Sequence, residues 1–150
     1  MNKKLILLSL SLLGLLAACQ TANPTINPRV NEEFTLERDQ TATIRGTNLI
    51  ITFSSVLSDD RCPIDVECAA SGPVTISLSV QREGDIASPV TLQTFTDQEG
   101  RTPAGEFEGI ENTVEVGEHV IRLIGVLPYP RNLSGIKASD YQATLIVTPK

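Results

Sequence analysis

The stretch VTISLSVQ, residues 74–81, alternates strictly between aliphatic and polar side chains. Its four aliphatic residues fall on one face of an extended chain, and its Thr, Ser and Gln side chains fall on the other. A repeat of two residues is the period of a β-strand that has one face against a core and the other in water. The sequence therefore predicts a half-buried strand here.

Other runs along the chain show the same alternation less regularly. They are residues 33–36, 41–45, 49–57, 90–95, 114–116, 119–127 and 141–147. The connectors are short and rich in Gly, Pro, Asp and Asn, and no segment has a clear helical period. This pattern predicts an all-β fold, an antiparallel β-sandwich of immunoglobulin-like architecture with about seven strands. Because the chain has no Trp, the likeness to immunoglobulin domains is one of architecture alone.

Residues 97–112, DQEGRTPAGEFEGIEN, form the longest irregular stretch of the predicted domain. Functional residues concentrate on loops, so this segment is a candidate functional loop. A solvated connector is the simpler interpretation.

The N-terminus has the organisation of a secretory signal peptide. Lys3 and Lys4 supply a positive start, and residues 5–16 form a Leu-rich run that ends in the small pair Ala17-Ala18. The apolar run is about a dozen residues, short of the roughly 20 needed to span a bilayer. We therefore predict that residues 1–18 are a cleaved signal and not a membrane-spanning anchor.

Cys19 closes this signal in the sequence Leu16-Ala17-Ala18-Cys19, which resembles the bacterial lipobox. The resemblance implies that the Cys19 thiol carries diacylglycerol, that cleavage occurs before it, and that the new N-terminus is acylated. Two acyl chains suffice for stable anchoring, so membrane lipid is the expected partner of this end. Gln20 in second place resembles lipoproteins sent to the outer membrane in bacteria that have one. The expected location is the bacterial cell envelope.

Residues 19–31 are predicted to be a lipidated tether, and residues 32–150 the sandwich domain. The tether has two Asn-Pro pairs and little apolar periodicity. Extended, its dozen residues would reach about 30–40 Å.

The charge balance argues against nucleic acid as a partner. The chain has 12 basic and 18 acidic side chains and a net charge of −6, which becomes −8 when Lys3 and Lys4 leave with the signal. Such a surface repels phosphate backbones.

Cys62 and Cys68 remain as an even pair once Cys19 is lipidated, and an even pair in an exported chain predicts a disulfide. Metal binding is the alternative, because acidic residues crowd the same segment. These are Asp59, Asp60, Asp65 and Glu67. Zinc would need more Cys or His, the processed chain has one His and no Met, and the spacing fits no known calcium loop. We therefore predict the disulfide and assign no metal or cofactor.

The segment DRCPIDVEC, residues 60–68, followed by Gly72, resembles the (Ser/Asp)-Arg-Cys-Pro-x-Asp-Val-x-Cys-x-x-x-Gly signature of a family of small, uncharacterised exported bacterial proteins, many of them lipoproteins. Residues 121–130, IRLIGVLPYP, and Tyr141 are similar to the C-terminal half of that family. Relatives often have an aromatic residue, usually Trp, after the second cysteine, where this chain has Ala69-Ala70. The resemblance spans about residues 48–148 and implies no particular activity.

Catalytic signals are weak, and we predict that the protein is not an enzyme. His119 lies beside Glu118 at the start of a predicted strand, where a surface imidazole is the simplest interpretation. Glu106 and Glu108 could face one way as a carboxylate pair, but most such pairs are solvated. No nucleophile elbow, phosphate-binding loop or metalloprotease motif is present in the sequence.

These features together predict a surface-tethered, non-catalytic binding or envelope-structural module. The loop between Cys62 and Cys68 is the expected contact edge, and an envelope or extracellular protein is the partner left open. The alternatives are a cation-binding protein that uses the acidic loops and a secreted protease inhibitor that presents a rigid loop.

Overall fold

The computed structural model describes residues 23–105 and 107–150. Its strands are β1 (Glu33–Glu37), β2 (Thr41–Thr43), β3 (Leu49–Asp59), β4 (Val74–Arg82), β5 (Ser88–Thr94), β6 (Thr113–Val116), β7 (His119–Leu127) and β8 (Gln142–Pro149). They form two antiparallel sheets of four strands, in the orders β2-β3-β4-β5 and β1-β8-β7-β6. The predicted all-β sandwich is confirmed, with eight strands where about seven were expected.

The alternating stretch at residues 74–81 lies in β4, which pairs with β3 on one side and β5 on the other. Val74, Ile76 and Leu78 are completely buried, and Val80 is nearly so. They face the aliphatic residues of the second sheet, including Ile121 and others on β7 and β8. Burying one such side chain contributes about 1.5–3 kcal/mol, so this face holds the two sheets together.

The strand connections differ from those of an immunoglobulin domain. β2 to β5 follow one another as neighbours in one sheet, and β6 to β8 do the same in the other. β1 completes the second sheet beside β8, with Glu33 opposite Ile146 and Glu37 opposite Gln142. The two sheets are thus consecutive meanders, not the Greek key of immunoglobulin domains.

Residues 97–112 are irregular, as predicted, but they are fixed against the sheet edge. Arg101 forms a bridge to Gly125, and the Thr102 amide donates to Ile124 O. This segment therefore pairs with the part of β7 that lies beyond the first residue of β6. The Arg101 guanidinium also binds both carboxylate oxygens of Glu33, at 2.9 and 3.2 Å, and holds the pKa of that carboxyl below its usual value. Residues 100–102 of this loop are thus held against the second sheet, while most of its other described residues are exposed.

The N-terminal segment that was expected to be a free tether runs along the edge of β2. Ile26 pairs with Ala42 and Arg29 with Arg45, in parallel. The Ile26 amide donates to Thr41 O at 3.0 Å. An edge strand leaves backbone donors and acceptors unpaired, and this segment satisfies some of those of β2. The described part of the predicted tether, from Asn23 to Asn31, is therefore bonded to the folded domain.

The predicted signal, residues 1–18, and Cys19 lie outside the described residues. No helix within residues 23–105 and 107–150 has the length and apolar character needed to cross a membrane.

Candidate functional site at the loop end

Two loops meet at one end of the sandwich: residues 60–73, between β3 and β4, and residues 128–141, between β7 and β8. We refer to this end as the loop end. The Ile64 amide donates to Pro130 O at 3.1 Å, and the Asp65 amide donates to Arg131 O at 2.8 Å. The loops are therefore joined by backbone hydrogen bonds, although the bonded residues are 66 positions apart in sequence.

Cys62 and Cys68 are joined by a disulfide, with their Cα atoms 5.9 Å apart. The ring lies within the loop at residues 60–73, where it was expected. Gly72 packs so closely on Asp60 that an added Cβ would lie 2.6 Å from the Asp60 Cβ. The Asp60 amide also donates to Pro73 O. The glycine of the sequence signature is therefore required by this close approach, and it closes the base of the loop.

Arg61, next to the disulfide, has a completely buried guanidinium. An arginine side chain carries five N–H donors, and each of them has an acceptor here. The acceptors are Asp59 Oδ1 for Nε at 2.7 Å, Asp59 Oδ2 and Pro128 O for Nη2 at 2.6 and 2.9 Å, and Val126 O and Thr96 Oγ1 for Nη1 at 2.9 and 3.2 Å. The charge and all the donors of Arg61 are thus satisfied inside the protein.

These bonds connect the two sheets. Asp59 is the last residue of β3, whereas Val126 lies on β7 and Pro128 follows it directly. The Tyr129 ring lies 5.0 Å from the Arg61 guanidinium carbon, within the range of a cation–π contact. Arg61 therefore fixes the position at which the loop at residues 128–141 leaves the second sheet.

The β3 strand reaches this cluster through two irregularities in its pairing with β4. Register shifts occur between Phe53 and Ser55 and between Val56 and Ser58. Bulges of this kind change which side chains face the sheet interior. After the second shift, the Asp59 carboxylate accepts hydrogen bonds from Arg61 and from Tyr141, the residue before β8 in the other sheet.

Tyr141, just before β8, completes the cluster. Its hydroxyl donates to Asp59 Oδ2 at 2.9 Å, and its side chain is largely buried. Burial raises the pKa of Tyr141 to about 12, and the hydrogen bond to the Asp59 carboxylate raises it as well, whereas the Arg61 charge lowers it. Tyr141 therefore stays a neutral hydrogen-bond donor throughout the neutral pH range.

An open cleft of about 420 Å³ lies above this cluster. Arg61, Asp59 and Tyr141 are at its base, and its sides combine polar and apolar side chains. The other lining residues are Asp60, Pro63, Pro130, Asn132, Leu133, Gly135 and Ile136. Leu133 is 83% exposed at the rim, and Ile64, in the adjoining loop, is 41% exposed. The basal charges of Arg61 and Asp59 are paired with each other, while Asp60 adds a carboxylate to the side of the cleft.

The acidic residues considered as metal ligands do not assemble into a cation site in the described structure. Asp59 is used by Arg61 and Tyr141, as above. Within residues 23–105 and 107–150, no group of three or more His, Cys, Asp or Glu side chains is placed to hold a metal ion.

His119, which the sequence offered as a candidate catalytic residue, does not lie at the loop end. His119 begins β7 and pairs with Val116 and Pro149 at the other end of its sheet. Glu106 lies outside the described residues, so its arrangement with Glu108 is not described.

The Asp59–Arg61–Tyr141 cluster was not predicted from the sequence as a unit. Asp59 was considered only as a metal ligand, and Arg61 was noted only within the sequence resemblance. Tyr141 was noted there and as the first residue of the last predicted strand. A signal existed in the Arg61 of the RCP motif, because an arginine between two buried strands requires a counter-ion.

Comparisons of the chain with protein-family models, with curated proteins and with solved structures each gave no match. The resemblance to the exported RCP-motif family stays a prediction.

The Arg61 cluster predicts a large effect on stability. Arg61→Met removes the cation that pairs with the Asp59 carboxylate and the donors to two backbone carbonyls, so we expect a loss of about 3–5 kcal/mol in the free energy of unfolding. Urea unfolding followed by circular dichroism measures it. The matched control is Arg82→Met, which removes an ion pair with Asp85 that is half exposed and should cost no more than about 1 kcal/mol. Equal losses in the two variants would contradict the assigned role of Arg61.

Tyr141 predicts a loss of stability at high pH. Because folding raises the pKa of this phenol from about 10 to about 12, the fold favours its neutral form. That stabilisation is present below about pH 10 and is lost as the pH rises towards about 12. Urea unfolding across this range should show the loss in the wild type and in Tyr129→Phe, and a smaller loss in Tyr141→Phe. An unchanged pH dependence in Tyr141→Phe would show that another group is responsible.

Proposed function

We propose that this protein is a bacterial lipoprotein, anchored in the cell envelope through acylated Cys19, whose sandwich acts as a non-catalytic contact module. The loop end is its contact surface. The observation that carries the proposal is the complete internal pairing of the Arg61 guanidinium beneath the cleft.

This pairing favours contact over chemical reaction at the cleft. A catalytic acid, base or anion-binding group needs a donor or lone pair directed at the substrate. Here the donors of Arg61 are directed at the protein, and the Tyr141 hydroxyl donates its hydrogen bond to Asp59. The cluster holds two loops in place, and loops that are already ordered lose less entropy when they bind a partner.

The apolar rim supports the same interpretation. Leu133 is mostly exposed, and Ile64 lies in a loop that is closed by a disulfide and hydrogen-bonded to Pro130. Exposed aliphatic side chains on a rigid support are typical of contact surfaces. The cation-binding and protease-inhibitor alternatives stay predictions, and we do not propose them here.

The anchor predicts a defined N-terminus. Mass spectrometry of the protein purified from its own membrane should find Cys19 as the first residue, with diacylglycerol on its thiol and an acyl chain on its amine. Cys19→Ser should remove the protein from the membrane fraction, because the lipid attachment site is lost. The control variant, Cys62→Ser with Cys68→Ser, loses the disulfide but should remain in that fraction. A bare Cys19, or residues 1–18 still attached, would refute the anchor.

The contact surface predicts a difference between the two ends of the domain. A photoreactive amino acid at Asn132, beside the cleft, should give crosslinked products in living cells. The same group at Ile86, which is 91% exposed in the turn between β4 and β5 at the opposite end, should give far less. Equal yields at both positions, or none at Asn132, would count against the loop end as the contact surface.

A further inference from the structure

We infer that the partner of the loop end is the lipid bilayer itself: the loop at residues 128–141 rests on the membrane surface, with Leu133 entering the interface. This inference rests on the proposed anchor at Cys19. It specifies what the contact surface touches and how the domain is oriented.

The predicted anchor at Cys19 lies only a short length of chain from the domain. The Asn23 side chain donates from Nδ2 to Arg38 O at 2.8 Å, and the Gln40 side chain donates from Nε2 to Pro24 O at 3.0 Å. The chain is therefore already bound to the turn between β1 and β2 at Asn23. Three residues separate Asn23 from Cys19, and the four Cα–Cα steps between them span at most about 14 Å in a fully extended chain. The domain is held close to the membrane.

The turn between β1 and β2 lies at a defined end of the second sheet. β1 ends at Glu37, opposite Gln142, the first residue of β8. Gln142 is in turn opposite Leu127, the last residue of β7. The turn between β1 and β2 thus lies at the same end of the second sheet as the loop at residues 128–141. The short anchor connection turns this end towards the membrane, and it turns Ile86 away.

The loop at residues 128–141 is slightly basic. It contains Arg131 and Lys137 against one acidic residue, Asp140, in a chain that has 18 acidic side chains. Within the described part of the chain, neither Arg131 nor Lys137 takes part in an ion pair. Leu133 is 83% exposed between them. An exposed aliphatic side chain flanked by cations suits the boundary between lipid headgroups and acyl chains.

The adjoining disulfide loop is acidic, since it carries Asp60, Asp65 and Glu67. These charges oppose attraction to an anionic surface. The contact with the bilayer must therefore depend mainly on Leu133 and on Ile64 in the adjoining loop. It should form on zwitterionic lipid.

The experiment uses the absence of Trp from the sequence, because a single introduced Trp is then the only indole in the protein. Leu133→Trp and Ile64→Trp report on the loop end, and Ile86→Trp is the matched control at the opposite end. The full lipidated protein is reconstituted into phosphatidylcholine vesicles with brominated acyl chains, which quench an indole that enters the bilayer. Urea unfolding of each variant checks that the fold is kept.

We expect the emission of Leu133→Trp to shift to the blue and to lose most of its intensity in brominated vesicles, relative to unbrominated ones. Ile64→Trp should respond in the same direction, and Ile86→Trp should not respond. Vesicle flotation is measured on the same samples. Flotation without quenching at Leu133→Trp would overturn the docking while leaving the anchor intact. Failure to float would overturn the anchor, and the docking with it.

Two further results would also overturn the inference. Equal quenching at Leu133→Trp and Ile86→Trp would show that the domain has no preferred orientation. A crosslink from Asn132 to a protein, without quenching at Leu133→Trp, would show that this end faces a protein partner. That second result would leave the proposed contact function standing.

Discussion

A buried guanidinium group is the constraint on which the loop end of this protein depends. Arg61 is charged at any physiological pH, and a charge without partners inside a protein is very costly. The structure meets this requirement with a carboxylate, a hydroxyl and two backbone carbonyls. The acceptors come from both sheets, so they must all be in place together. The cluster is therefore evidence for a specific arrangement of the loops more than for high stability, because a buried ion pair contributes little net free energy.

The same cluster explains how an aliphatic sandwich forms a defined surface at one end. The core requires only that apolar faces meet, and it leaves the connecting loops undetermined. Arg61 and the Cys62–Cys68 disulfide place one loop, while Tyr141 and the carbonyl of Pro128 place the other. The charges of Arg61 and Asp59 at the base of the cleft are thereby paired with each other. The proposed contact with lipid or protein depends on the two loops being held in this arrangement.

The N-terminal segment links the fold to the proposed anchor. It was predicted to be part of a tether because of its two Asn-Pro pairs, yet Ile26 and Val30 pack against the core. The alternation of Ile26, Pro28 and Val30 was a strand signal that the prolines obscured. This segment covers the edge of β2 and so satisfies some of its backbone hydrogen-bonding groups.

The sequence by itself determined the strands, the sandwich and the disulfide, because the two-residue period and the cysteine count are local properties of the chain. It also predicts the anchor at Cys19, which does not depend on the fold. Only the tertiary structure decided what Arg61 binds, since its carbonyl acceptors lie 65 and 67 residues further along the chain. The attachment of the N-terminal segment, the bulges before Asp59 and the shared position of the two loops were decided in the same way. Each of these depends on which strands become neighbours, and that follows from packing the whole core.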